Sequence, residues 1–210
     1  MKTRLLTAGT IVLLLGVSFS GAANHHTAQS ELKSASDFSD ISDNKTRSQA
    51  MFEELGKVIT HPRCVNCHPD SGQPLQGMDM QVHQPPVFRG PANFGEAGME
   101  CNTCHQATNV TVVGQSETLK SIPGNPSWHL APREMAWVGK SLGEICQQLK
   151  DKKRNGGKTM EEMIHHMAED ELVGWGWQPG EGREPVPGTQ KAFGELFKAW
   201  ADSGAHCPQT

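Results

Sequence analysis

The sequence predicts a mainly α chain with long irregular loops, and three observations carry that reading. Apolar residues recur at spacings of three and four in the C-terminal half, behind recognisable helix caps. Residues 69–98 are full of Gly, Pro and Gln and show no periodic element. A five-residue pattern occurs twice, as Cys64-Val65-Asn66-Cys67-His68 and as Cys101-Asn102-Thr103-Cys104-His105. Side chains are scarce for a core, since hydrophobic residues make up only 36% of the chain and Tyr is absent.

The repeated pattern supplies the missing core. C-x-x-C-H is the attachment sequence of a c-type haem: two thiols bond to the porphyrin edge and the adjacent His becomes the proximal iron ligand. Cys64, Cys67, Cys101 and Cys104 are therefore read as covalent attachment points for two haem c groups, with His68 and His105 on the irons. A four-cysteine zinc site or two disulfides would not require a His after both pairs. The fold class becomes a dihaem cytochrome c wrapped around two covalently bound haems, each bringing a large apolar plate.

The elements follow in chain order. Residues 1–23 read as a signal peptide: Lys2 and Arg4 precede an apolar stretch, and small residues ending at Ala22 and Ala23 offer a cleavage site. Residues 24–46 are polar and aperiodic, and are expected to form a flexible leader. The haem domain is expected over 47–210. A helix over 48–60 follows from Met51, Phe52, Leu55, Val58 and Ile59, and His61-Pro62 should stop it. The loop 69–98 is expected to fold over haem faces. Residues 109–114 read as extended, and 125–128 as a turn.

Further on, Leu142, Ile145, Cys146 and Leu149 mark one face of a helix capped by Ser141. Thr159 and Glu162 form a capping box that opens a helix over 159–170. Residues 175–188 read as irregular. A last helix over 189–203 buries Ala192, Phe193, Leu196, Phe197 and Trp200 and is closed by Gly204. The remaining cysteines, Cys146 and Cys207, are a candidate disulfide, which export would permit.

The sixth iron position decides what such a protein does. His83 in the long loop, His129 in a Pro-bounded turn and His166 beside a methionine-rich helix face are the candidate distal ligands. Met78, Met80 and Met99 are further donors near the motifs. His25 and His26 fall in the leader, His61 is cramped against the first motif, His206 flanks the terminus, and His165 points away from the apolar face. Arg63, Arg89 and Arg133 are candidate partners for haem propionates. Without Lys2 and Arg4 the 19 basic residues fall to 17 against 23 acidic ones, a net charge of −6. That balance argues against nucleic acid and anionic membrane surfaces as partners, and no later segment is apolar enough to span a membrane.

Several runs together resemble a known group. They are His61-Pro62-Arg63-Cys64, Asn66-Cys67-His68-Pro69, Pro74-Leu75-Gln76-Gly77, Trp128-His129-Leu130-Ala131-Pro132, Arg154-Asn155-Gly156-Gly157, Trp175-Gly176-Trp177 and Gly182-Arg183-Glu184-Pro185. The region from His61 to Pro208 is similar to small exported dihaem cytochromes labelled isoquinoline 1-oxidoreductase subunit. The resemblance implies a His at positions 83, 129 and 166, and a donor of the exported molybdenum hydroxylase type. The chain itself has no cysteine to spare for an iron–sulfur cluster.

The expected function is thus a periplasmic electron carrier between a dehydrogenase donor and a cytochrome or oxidase acceptor, without catalytic side chains of its own. The alternatives are a dihaem enzyme with one open iron, peroxidase-like or a sulfur-compound dehydrogenase, and a haem-based sensor.

Overall fold

The helix α1 (Asn44–Ile59) forms where Asp43 accepts a hydrogen bond from the Thr46 backbone N–H at 2.8 Å. It turns Met51, Phe52, Leu55, Val58 and Ile59 inward. The computed structural model describes residues 31–106, 127–180 and 183–210. Within them the chain is mainly α with little sheet, as the sequence predicts. The expected signal peptide and the extended stretch over 109–114 lie outside the described residues, as does the first half of the turn over 125–128.

Opposite α1 runs α6 (Gln190–Asp202), capped by Thr189, with Phe193, Leu196, Phe197 and Trp200 buried. The seam between them is aromatic. Phe52 meets Trp200 with ring centres 4.8 Å apart, and Trp200 meets Phe197 at 5.0 Å. Such pairs add about 0.5–1.5 kcal/mol to the area they bury. The other flank of α6 is covered by α4 (Met160–Glu169), which Thr159 and Glu162 open with the expected capping box. The two helices touch at Gly194, where an added Cβ would stand 2.4 Å from the Ala168 Cβ and 2.7 Å from its Cα.

The helix α3 (Leu142–Lys150) starts in a second capping box, Ser141 with Glu144, and buries Ile145, Cys146 and Leu149. The C-terminal tail ties it to α1. Gly204 and Ala205 return hydrogen bonds to Ala201 and Trp200, the reciprocal pair of a Schellman turn, with Gly204 at φ +101°. Beyond it the Gln49 amide donates to the Cys207 carbonyl at 2.7 Å and Lys150 donates to the Ala205 carbonyl at 2.7 Å. The expected disulfide is present between Cys146 and Cys207.

Four features depart from the sequence reading. Residues 31–43, expected within a flexible leader, lie packed: Phe38 is buried, Leu32 and Ile41 rest on the core, and the Lys33 backbone N–H donates to Glu54. Apolar residues so spaced carry no helical or strand period, so composition alone reads as solvated. Next, α1 begins four residues before the expected start, since polar Asn44 to Arg47 extend the helix on an Asp cap. Pro62 ends α1 as expected but also opens a four-residue helix, α2 (Pro62–Val65), standing at its first turn with His61 as cap. Finally, the loop over 69–98 is pinned by two small antiparallel hairpins, β1 (Leu75–Gln76) with β2 (Gln81–Val82) and β3 (Gly95–Glu96) with β4 (Met99–Glu100). A short helix α5 (Glu171–Gly174), capped by Asp170, follows α4. No helix among the described residues is long and apolar enough to cross a membrane.

Two outcomes follow from this packing. Gly194→Ala gains about 1 kcal/mol of helix propensity but forces α6 off α4, an overpacking cost of about 3 kcal/mol. The net loss shows as a lower midpoint in denaturant. Separately, the Ser141 backbone N–H, with Lys140 and the Ser141 hydroxyl, holds the Glu144 carboxyl down at about 2, below its ordinary 4.5. A lowered carboxyl stabilises the fold above its unfolded value and loses that contribution as pH falls through the folded one. Glu144→Gln should therefore be less stable than wild type above about pH 4.5 and equal to it near pH 2; a constant difference in acid unfolding curves would refute the cap.

Candidate functional site

Both C-x-x-C-H runs fold into one tight turn, by different routes. In the first, the His61 ring Nδ1 accepts the Arg63 backbone N–H at 3.2 Å and α2 carries the chain through Cys64. The second emerges from β4 into a 3₁₀ turn, Cys101–Thr103. In each, the N–H of the second cysteine donates to the carbonyl of the first, at 3.1 Å for Cys67 and 3.3 Å for Cys104. Residues three apart in such a turn share a face, so each thiol pair is presented together.

Each turn opens on a cavity. The larger, about 450 Å³, is walled by Cys101, Cys104 and His105, with His83, Trp128 and Arg183 around it. The smaller, about 130 Å³, is walled by Cys64 and His68, with His129, His166, Met163 and Trp137. Arg63, Cys67 and Trp175 line both. Cys101 and Cys104 thus line the larger cavity alone, Cys64 the smaller alone, and Cys67 both. Among the described residues no group of three or more His, Cys, Asp or Glu is gathered as a metal cluster.

The motif histidines are built alike. His68 stacks on Trp137 with ring centres 3.5 Å apart and planes at 8°, and His105 stacks on Trp128 at 4.6 Å and 21°. Burial pushes His68 down to about 3 and His105 down to about 4, so both imidazoles stand neutral, the state in which a metal can bind them. Burial also pushes the Cys64 and Cys67 thiols up to about 12.

Ring hydrogen bonds sort the remaining histidines. A carbonyl or carboxylate oxygen only accepts here, so a ring nitrogen facing one carries the proton and leaves the other nitrogen its lone pair. His68 Nδ1 donates to the Met135 carbonyl at 2.8 Å and His83 Nδ1 to the Pro85 carbonyl at 2.9 Å. His129 Nδ1 donates to the Ser127 carbonyl, and His166 Nδ1 to Asp170 Oδ2 at 2.9 Å. All four leave Nε2 as the donor atom for a metal. His61 is the opposite case, because its Nδ1 accepts and Nε2 holds the proton. His165 pairs with Glu169 at the surface, 70% exposed, and lines neither cavity.

The three candidate distal ligands therefore divide between the motifs. His83 faces His105 with ring centres 6.0 Å apart. His129 and His166 share the other cavity with His68. The Asp170 that holds His166 is itself held at about 2, chiefly by that hydrogen bond, and it caps α5 through the Leu172 N–H. The three methionines near the motifs are all exposed; Met99 lines the larger cavity, and Met78 and Met80 line neither.

Of the three candidate arginines, Arg63 lines both cavities and Arg89 and Arg133 line neither. Arg89 is buried and donates to the Asn93 side chain and the Ala131 carbonyl, tying two loops together. Residues that the sequence reading passed over are Trp128, Trp137, Trp175, Arg183 and Asp170. The Trp residues carried a signal, since indoles this frequent beside Gly and Pro have no helical face to fill.

No family model matches the chain, and no curated protein or solved structure matches it.

Proposed function

We propose that this chain is an exported dihaem c-type cytochrome that carries single electrons. One observation supports this above all: each C-x-x-C-H shares a cavity with a second histidine whose Nε2 is free to bind a metal. His83 and His105, with ring centres 6.0 Å apart at the larger cavity, would together hold a haem iron there. The buried His105 Nδ1 with no partner among the described residues also fits a site that awaits a larger group.

On this reading Cys101, Cys104, His105 and His83 would hold one haem, and Cys64, Cys67 and His68 would hold the other. His166 would be the second histidine on that haem, because a half-buried carboxylate fixes its ring, as carboxylates do for metal-bound histidines; His129 has only a carbonyl two residues back. The haem irons supply a one-electron ferric–ferrous couple when bound. The protein's own part is to hold the rings, keep the ligand tautomers and exclude water. Small-molecule sites usually measure about 300–1,000 Å³. The smaller cavity lies below that range and has to widen, for which its unbranched wall of Met163 and Met167 is suited.

The direction of flow, from an exported dehydrogenase of the molybdenum hydroxylase type toward a respiratory acceptor in the periplasm, belongs to the same proposal. It draws on the amino-terminal sequence and on the resemblance. Two six-coordinate irons favour the carrier over an enzyme or a sensor, both of which need an open one.

The test is the purified protein's mass and its absorption, oxidised and reduced, with and without carbon monoxide. Two covalent haems, both low-spin and inert to carbon monoxide, are expected. A chain without them overturns the cytochrome, and a high-spin iron that binds carbon monoxide overturns the carrier. Single variants then assign ligands. His83→Ala should open only the Cys101–Cys104 haem and His166→Ala only the other, each seen as carbon monoxide binding at one haem of two. If His129→Ala opens the latter haem instead, the distal assignment passes to His129.

A further inference from the structure

The two cavities meet at a wall of three residues, Arg63, Cys67 and Trp175. Arg63 is 6% exposed. Its Nε donates to the Glu184 carbonyl at 2.8 Å, and its guanidinium lies 5.6 Å from the centre of the Trp175 ring. No carboxylate among the described residues stands within ion-pair distance of it. Burial disfavours the Arg63 charge, the Glu184 carboxylate offsets part of that cost, and a further acceptor of opposite charge would offset more. Beside it the Trp175 Nε1–H is buried and has no acceptor among the described residues. Trp175 is also met edge-on by Trp128 at 5.7 Å, the indole that stacks on His105.

The Arg63 guanidinium and the unpartnered Trp175 N–H thus stand on one wall, facing two sites. Resting on the dihaem reading above, we propose that Arg63 is a shared carboxylate receptor: its fork takes a propionate from each porphyrin, with Trp175 as the adjoining donor. Guanidinium geometry suits carboxylates, and it presents separate N–H pairs on separate edges. One cation then lies close to both irons. A nearby positive charge favours the reduced iron, which carries one positive charge fewer, so Arg63 raises both potentials and ties them to a single group. The neighbouring arginines differ, since Arg183 lines the larger cavity alone.

The experiment is a spectroelectrochemical titration of the holoprotein and its variants, after haem content and carbon monoxide inertness are measured on each. Arg63→Gln should move both haems toward the ferric state by about tenfold, which is about 59 mV for a one-electron couple. Arg63→Lys keeps the charge without the fork and should move both the same way by less. Arg183→Gln should move only the haem on Cys101 and Cys104. A shift confined to one haem in Arg63→Gln, or no shift, overturns the shared receptor while leaving the cytochrome intact. Absence of two haems from the wild type overturns the cytochrome itself. If Arg63→Gln fails to load haem, Arg63→Lys decides alone: movement of both haems supports the receptor, and movement of one or neither overturns it.

Discussion

Three consecutive carbonyl groups hold the loops of this molecule in place. The carbonyl of Asn66 accepts from the Leu75 N–H at 3.1 Å, that of Cys67 from Ala131 at 3.1 Å, and that of His68 from Trp137 at 2.9 Å. They are the last carbonyls of the first motif turn, which a continuing helix would have used internally. Because Pro62 starts a helix only four residues long, they are left free, and segments from two distant parts of the chain close on them. The Asn66 amide adds a fourth tie, to the Gly77 carbonyl at 2.9 Å. The motif is therefore a structural hub as well as a pair of thiols, and α1 anchors it to the aromatic core.

The same strand of hydrogen bonds sets the chemistry. By bonding to His68, the 131–137 segment places the Met135 carbonyl against His68 Nδ1 and the Trp137 indole against its face. Position, tautomer and desolvation of one imidazole thus come from a single docking event. The second motif reaches a comparable state differently. The Cys101 N–H donates to the Phe94 carbonyl at 2.8 Å across the hairpin, and Leu130 donates to Asn93 at 2.9 Å, bringing Trp128 near His105. Only the outcome, a neutral imidazole stacked on an indole, is common to both.

What was legible in the sequence divides along the range of the interactions. The boundaries of α3, α4 and α6 are near their expected places because each is written locally, in Ser141-x-x-Glu144, in Thr159-x-x-Glu162 and in the stop at Gly204. The two C-x-x-C-H runs were legible for the same reason, as contiguous residues that each fold into one turn. Residues 31–43 were misread because Leu32, Phe38 and Ile41 pack singly against remote helices. That His83 stands beside one motif and His166 beside the other depends on contacts across about 20 and about 100 residues, which no spacing encodes. The Cys146–Cys207 pair was accessible by elimination, its geometry was not.

The contrast between the two cavities follows from what surrounds them. Around His105 the walls are two-residue hairpins and loops, tied by backbone hydrogen bonds around a space of about 450 Å³. Around His68 the walls are helices α4 and α5 and the 131–137 segment, with Met163 and Met167 among the side chains. Helices that are free to approach close an apolar space, since each buried CH₂ gains about 0.8 kcal/mol. A framework of hairpins resists that collapse and a framework of helices yields to it, so a group entering the second cavity must displace packed methionines. Unbranched thioether chains are the side chains for which such displacement costs least. On the proposed function, the methionine-rich face of α4, which also carries His166, would be a wall that packs when the space is narrow and gives way when a flat apolar group enters.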